Sequence, residues 1–382
     1  MSIEIKKFKW GEDSKLLKTF LKLPNKLYKN DKYWVPEWLV ERKLLHNPKK
    51  NPCLKRIHPT YFVAFKDNEP VGRVTAHIIE EHNKFHEEKT GFFGFFECIN
   101  DQEVANKMLA AAEEEMHNAG MTEIRGPSSF SSNEEYGMLV DGLWEDSPQI
   151  MMIHNPKYYI DLVKNAGFSK AMDLYAYRIG PEDWPNAKIQ RVSKLIRKRE
   201  NITIREIDLS KKGFPAERDK LSDVYNHAWE KNWGFVPLNR EEFEHAANGL
   251  RTMMNPKFAF LAEVDGETVA FCATLPDIHQ LLKHTKGKTL AMLWHLFIRK
   301  THRRPNKIIN RIRITLLGVK SAYRRKGLEA IIFEENFLRG IEYGFTEGEM
   351  SWILETNTEM NNSAKMLGAK VYKTYRIWSK SI

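Results

Sequence analysis

The chain has 382 residues, of which 42% are hydrophobic and 12% aromatic, so it can bury sizeable cores and is not a disordered chain. Lys and Arg number 60 against 50 Asp and Glu, a net charge of +10 that suits a nucleotide cofactor, RNA or a membrane surface, or serves solubility alone. Cys53, Cys98 and Cys272 lie far apart with no CxxC or Cys/His cluster, which argues against structural zinc and a disulfide framework.

The opening "MSIEIKKFKWGEDS" lacks the apolar core of a secretion signal, so a cytoplasmic protein is expected. "FVAFKDNEPVGRVTAHI" (62–78) reads as strand, turn (Lys66 to Glu69) and strand, a hairpin. "FFGFFECINDQEVANK" (92–107) is a strand leading through an acidic loop, with Glu97, Asp101 and Glu103, into a helix. The strand Glu123 to Gly126 runs into "SSFSSNEEYG" (128–137), where Ser132 and Glu135 have the spacing of a capping box. Binding groups also collect in such loops. "NAGFSKAMDLYAYRI" (165–179) precedes "GPEDWPNAK" (180–188), a Pro- and Gly-rich boundary.

The basic, amphipathic "KIQRVSKLIRKR" (188–199) opens the second half. A strand (202–207), a helix (Lys220 to Asn232) and a second hairpin, "FLAEVDGETVAFCATL" (260–275), follow. "WEKNWGF" before the hairpin sets two tryptophans four apart, which reads as packing or as the wall of an acceptor pocket. A basic helical insert around 287–301 contains "LAMLWHLFI", nine residues and too short to span a bilayer. The run "IRKTHRRPNK" (298–307) reads most simply as a solvated face. In the strand "RIRITLLGV" (311–319) the apolar phase slips at Leu316–Leu317 beside Gly318, as a β-bulge or a simple strand end would produce. A helix (Ala330 to Phe345), a strand (349–356) and "MLGAKVYKTYRIW" (366–378) complete the chain.

The halves repeat. Phe62 answers Phe260 at an offset of 198, "WVP" (34–36) answers "FVP" (235–237), and Gly167 answers Gly368 at 201. The loop between the strand 311–319 and the helix 330–345 carries Arg324, Arg325, Lys326 and Gly327. A pyrophosphate needs convergent N–H donors, a helix N-terminus and close backbone approach, so this loop is a sound phosphate cradle or an ordinary basic loop.

"LGVKSAYRRKGLEAIIF" resembles the acyl-CoA loop of the GNAT N-acetyltransferase superfamily, Arg/Gln-x-x-Gly-x-Gly/Ala after a bulged strand, with Tyr323, Arg324 and Gly327 in register. "GPSSFSSNEEYGMLVDG", "AWEKNWGFVP" and "ILETNTEMNNSAKMLGAKVYKTYRIW" resemble a bacterial group of proteins with two GNAT domains. The resemblance implies an α/β (α+β) class with two tandem GNAT-like domains. Each would be a mixed, mostly antiparallel sheet flanked by helices, with a bulged central strand. Residues 1–180 would be a degenerate copy, since its equivalent loop is acidic and has neither glycine nor arginine. Residues 188–382 would carry the acyl-CoA site.

The implied activity is direct transfer from acetyl-CoA or another acyl-CoA to an unidentified amine, without metal. Donor contacts fall on Leu317, Val319, Arg324, Arg325, Lys326, Gly327, Leu328, Ala330 and Asn357. Glu355 is the candidate base, and Tyr372 and Tyr375 are candidate acids for the thiolate; each also reads as a satisfied polar group. Glu329 and Arg325 depart from the small residues of the pattern. The alternatives are an aminoacyl-tRNA-using transferase of the Fem type and a non-catalytic acyl-CoA or protein-binding module.

Overall fold

The computed structural model describes residues 2–183, 187–199, 201–324 and 326–382. They form two compact units. The first comprises the chain up to Leu174 with Thr285–Thr289 and Lys373–Ile382, and the second comprises Tyr175–His284 and Leu290–Tyr372. Among the described residues no helix is long and apolar enough to cross a membrane.

The first unit runs β1 (Ile3–Lys9), α1 (Ser14–Leu27), α2 (Leu39–Leu45), β2 (Thr60–Lys66), β3 (Glu69–Ile78), α3 (Glu80–His86), β4 (Thr90–Cys98), α4 (Gln102–Asn118), β5 (Glu123–Gly126), β6 (Met138–Gly142), α5 (Tyr159–Asn165) and the start of β7 (Ser169–Ile179). The β2–β3 hairpin closes through Asp67 and Asn68 at φ 50° and 67°, the positive-φ pair that matches the twist of the flanking strands. Helix α4 buries Val104, Ala105, Met108, Leu109, Ala112 and Met116, the stripe of a 3.6-residue period, in the main core. No helix starts at Ser132. Glu135 instead forms an ion pair with Arg42, and its carbonyl accepts from Ser129 N (2.9 Å), so the capping-box spacing is coincidental.

The second unit contains α6 (Ala187–Arg199), β8 (Ile202–Glu206), α7 (Phe214–Trp229), α8 (Arg240–Met253), β9 (Ala259–Val264), β10 (Glu267–Pro276), α9 (Ile278–Thr285), α10 (Thr289–Leu293), a π-helical turn (Trp294–Ile298), β11 (Arg311–Val319), α11 (Leu328–Tyr343), β12 (Glu347–Leu354), α12 (Thr358–Met366) and the start of β13 (Lys370–Ser381). Its sheet order is β12-β11-β10-β9-β8, with β11 and β12 parallel and the other pairs antiparallel. Two apolar clusters flank it, around Phe333, Met350 and Leu367 and around Phe260, Val319 and Ile332.

The division differs from 1–180 and 188–382 chiefly at the C-terminus. Lys373–Ile382 count with the first unit because β13 pairs there with β5, from Trp378↔Gly126 to Ser381↔Glu123, and with β6. Residues 184–186 of the expected boundary lie outside the described residues.

Candidate active site

Strand β11 is paired with β12 only from Arg311↔Glu347 to Ile314↔Met350. Against β10, Ile314 faces Thr274 and Leu316 faces Ala273, so Thr315 is an extra residue, a bulge. Bulge and end of pairing coincide, and beyond them the strands part. The gap is a slot of about 160 Å³ lined by Thr315, Leu317 and Val319 of β11, Ser351 to Leu354 of β12, and Trp229 of α7. Of the tryptophan pair, Trp229 therefore both packs, against Tyr225 and Phe271, and shapes the slot. The expected slip at Leu316–Leu317 lies just past the true bulge. A break in phase shows in sequence only at the next apolar side chain, so the signal trails its cause.

The basic loop leads from the slot to α11. Gly327 is its N-cap at φ 82°, a left-handed conformation that costs other residues about 1–2 kcal/mol, and no side chain caps the helix. This lets α11 begin at Leu328, two residues before the expected start. The helix end presents the positive end of its dipole and the N–H of Leu328, while the Glu329 N–H meets its own carboxylate and Ala330 N donates to Gly327 O (3.1 Å). Arg324 lines the slot, but its guanidinium donates to Val319 O (3.3 Å) and Ala228 O, pinning the loop to β11 and α7. Lys326 is exposed, its ammonium 4.7 Å from the Tyr323 ring centre. Arg325 lies outside the described residues.

The side chains of Leu328 and Ala330 are buried in the apolar clusters, which leaves only their backbone for a ligand. Glu329 faces the slot instead. Burial raises its carboxyl above the ordinary value; a hydrogen bond from its own backbone N–H opposes the rise, Glu359 adds to it and Arg324 opposes it. Asn357 lines the slot and also caps α12, accepting from Met360 N (3.1 Å).

The three expected catalytic side chains are not brought together. Glu355 follows β12 but is not among the slot-lining residues. Tyr375 is fully buried in the first unit. Tyr372 donates its hydroxyl to Glu349 Oε2. Glu349, which sequence reasoning passed over, is the centre of a buried cluster: Ser351 Oγ donates to its Oε1, and Arg313 Nε lies 3.5 Å from Oε1. Arg313 also donates to Ser351 Oγ (2.7 Å) and Ser351 O (2.8 Å). Since Ser351 lines the slot, a hydroxyl there is wired to a carboxylate behind it. The available signal was the alternation of Glu347, Glu349 and Ser351 along an otherwise apolar strand. The register that sets Arg313 opposite Glu349 was not readable.

The first unit has the same parts, filled by its own chain. On β4, Phe95 and Phe96 stand opposite the single residue Val74, a bulge with Phe95 at φ 50°. Pairing of β4 with β5 ends at Phe92↔Arg125. The chain leaving β5 then lies on β4, with Ser128 N donating to Phe93 O (2.7 Å), and a Cβ on Gly94 would stand 2.1 Å from Ser128 O. The N-terminus of α4 is closed by Asp101, which accepts from Glu103 N (3.0 Å) and Val104 N (3.3 Å) and pairs with Lys66 (2.5 Å). Behind the bulge, Glu97 accepts from Tyr28 (2.7 Å) and Tyr159 (2.8 Å), with Arg73 3.6 Å away. Burial lifts its carboxyl to about 7 against the pull of Arg73 and the two hydroxyls. Among the described residues no group of three or more His, Cys, Asp or Glu could hold a metal.

No protein-family model matches the chain. The chain is similar over its whole fold to a tandem GNAT protein from the clavulanic acid biosynthesis pathway, at 9% identity and TM-score 0.56, covering 99% of this chain and 98% of that one. It is also similar to the glucosamine N-acetyltransferase region of a fungal multi-domain β-N-acetylglucosaminidase, at 14% identity and TM-score 0.57, covering 100% of this chain and 38% of that one. These likenesses show the fold. In sequence it is 31% identical over 377 residues to protein YghO of Escherichia coli (strain K12), covering 96% of this chain and 93% of that one. It is 30% identical over 377 residues to the bacterial ceramide synthase of Caulobacter vibrioides (strain NA1000 / CB15N), covering 96% and 95%. The chain belongs to the family of these two relatives, and its fold is that of tandem GNAT proteins.

Proposed function

We propose that the chain is an N-acyltransferase that moves an acyl group from an acyl-CoA to the primary amine of a long-chain amino alcohol, with the donor in the second unit. The observation that carries this is the open slot between β11 and β12, ending at the uncapped, glycine-led N-terminus of α11. A thioester arm fits between parted strands, where β11 amides without a β12 partner can polarise the carbonyl. Its phosphates fit the helix end. The acceptor class comes from the ceramide synthase relative, because a ceramide is the amide of such an amine.

In the transfer the amine nitrogen bonds to the thioester carbon, the C–S bond breaks, the amine loses a proton and the thiolate gains one. Ser351 offers a hydroxyl at the slot backed by Glu349 and Tyr372, a route for the departing proton. This assigns Tyr372 to the route through Glu349 and leaves Glu355 and Tyr375 outside it.

Calorimetry with long-chain acyl-CoA should give one site per chain, and mass spectrometry should find amide product with a long-chain amino alcohol. Absence of acyl-CoA binding sinks the reading. Binding without turnover on any amine leaves a binding module in its place.

A further inference from the structure

Helix α10 and the π-helical turn after it make one helical segment, Thr289–Ile298. Only Met292 and Leu296 on it are buried. Leu290 (84% exposed), Leu293 (38%), Trp294 (54%), Phe297 (59%) and Ile298 (65%) face outward, at spacings of three and four that align them on one side. Isolated exposed apolar residues are ordinary, but five large ones in a stripe call for a partner.

The stripe runs directly into a basic collar. Arg299, Lys300, Arg303, Arg304 and Lys307 are all exposed, and among the described residues none of the five forms an ion pair. They line an open basin of about 660 Å³ with His295. No Asp or Glu occurs between Asp277 and Glu329, so the collar has no acidic residue of its own segment to quench it. The collar is also held in shape. Asn255 Nδ2 donates to Arg303 O (2.7 Å), and Asn306 donates to Thr301 O and Arg304 O (both 2.9 Å).

From this we propose that the segment 290–307 docks the protein on an anionic phospholipid bilayer. The apolar stripe enters the headgroup–acyl boundary, Trp294 sits at the interface, and the collar meets lipid phosphates. A second copy of the chain is a poor occupant, since it would bring the same uncompensated cations to the contact. RNA would use the collar but gain nothing from Leu290, Leu293 and Ile298. The docking does not depend on which acceptor the slot serves.

The test is co-sedimentation of the full-length protein with phosphatidylglycerol–phosphatidylcholine vesicles and with pure phosphatidylcholine vesicles. Binding is expected to the mixed vesicles, weaker to the neutral ones, and falling with salt. Trp294→Asp with Phe297→Asp should lower partitioning at least ~tenfold, and Arg303→Glu with Arg304→Glu should remove the preference for anionic vesicles. All four side chains are exposed, and circular dichroism is the check that the variants fold. Leu290→Ser, at the most exposed position, gives a second, milder readout. The proposal is overturned if the vesicles pellet no protein, or if variants and wild type sediment alike. It is also overturned if the stripe instead drives a dimer in sedimentation velocity that Phe297→Asp abolishes, or if the collar binds tRNA while vesicles bind nothing.

Discussion

In the first unit the chain that leaves β5 turns back onto β4, and Ser128 closes on Phe93; in the second, the chain that leaves β12 runs on into α12 and leaves the β12-side edge of β11 unpaired past Ile314. Both units carry a bulge in the equivalent strand and a helix after it. What separates them is what fills the space those features create. Asp101 caps the helix in one, and a glycine with no capping side chain leads the helix in the other. A bulge therefore makes a gap without making a site. A site also needs a neighbouring segment that stays away and a helix end that no N-cap side chain closes.

The largest effect that tests this contrast is on turnover. If the second unit does the chemistry, Ser351→Ala and Glu349→Gln should each lower kcat by roughly 10²–10⁴-fold while acyl-CoA affinity stays nearly intact. Glu355→Gln should leave the rate unchanged. Initial rates beside a thermal melt decide the matter, because Glu349 is buried with Arg313 and its loss could instead unfold the unit. Loss of rate in Glu355→Gln alone would move the proton route out of the cluster.

Next comes a pH effect confined to the first unit. Glu97 stays protonated in the fold up to about pH 7, while the same side chain ionises near 4.5 when unfolded. Between these values the unfolded chain holds fewer protons, so stability falls as pH rises from 4.5 to 7 and is level on either side. The loss is on the order of 3 kcal/mol. Denaturant titrations across this range should show the slope, and Glu97→Gln should flatten it. A slope unchanged by that substitution would remove Glu97 as its source.

Packing comes third. Gly94→Ala pushes a methyl into Ser128 O and should cost about 1–3 kcal/mol by lifting the segment that fills the first gap. An unaffected midpoint would mean that the segment is not pressed on β4. The smallest expected effect, about 1 kcal/mol, is that of Asp101→Ala, which uncaps α4. It should not create a second acyl-CoA site, since the gap beside it remains filled. Calorimetry showing two sites in that variant would mean that the cap alone sets the difference between the units.

The sequence by itself determined the doubling of the chain, the two hairpins, the bulged strand and the basic loop with Gly327. Each is written locally: the turns in Asp67–Asn68 and Asp265–Gly266, the strands in alternation, the helix start in a residue free to adopt φ 82°. Tertiary structure alone decided the rest. Arg313 meets Glu349 through the register of two strands far apart in sequence, a choice no local pattern records. Ser128 reaches Phe93 across a long separation, so a polar loop that reads as a cap or a binding site becomes the filling of a gap. Tyr375 belongs with the first unit because ladder hydrogen bonds, not chain proximity, assign the last strand. Propensity and periodicity act over a few residues, whereas the pairing of strands and the emptiness of the space between them are properties of the assembled sheet.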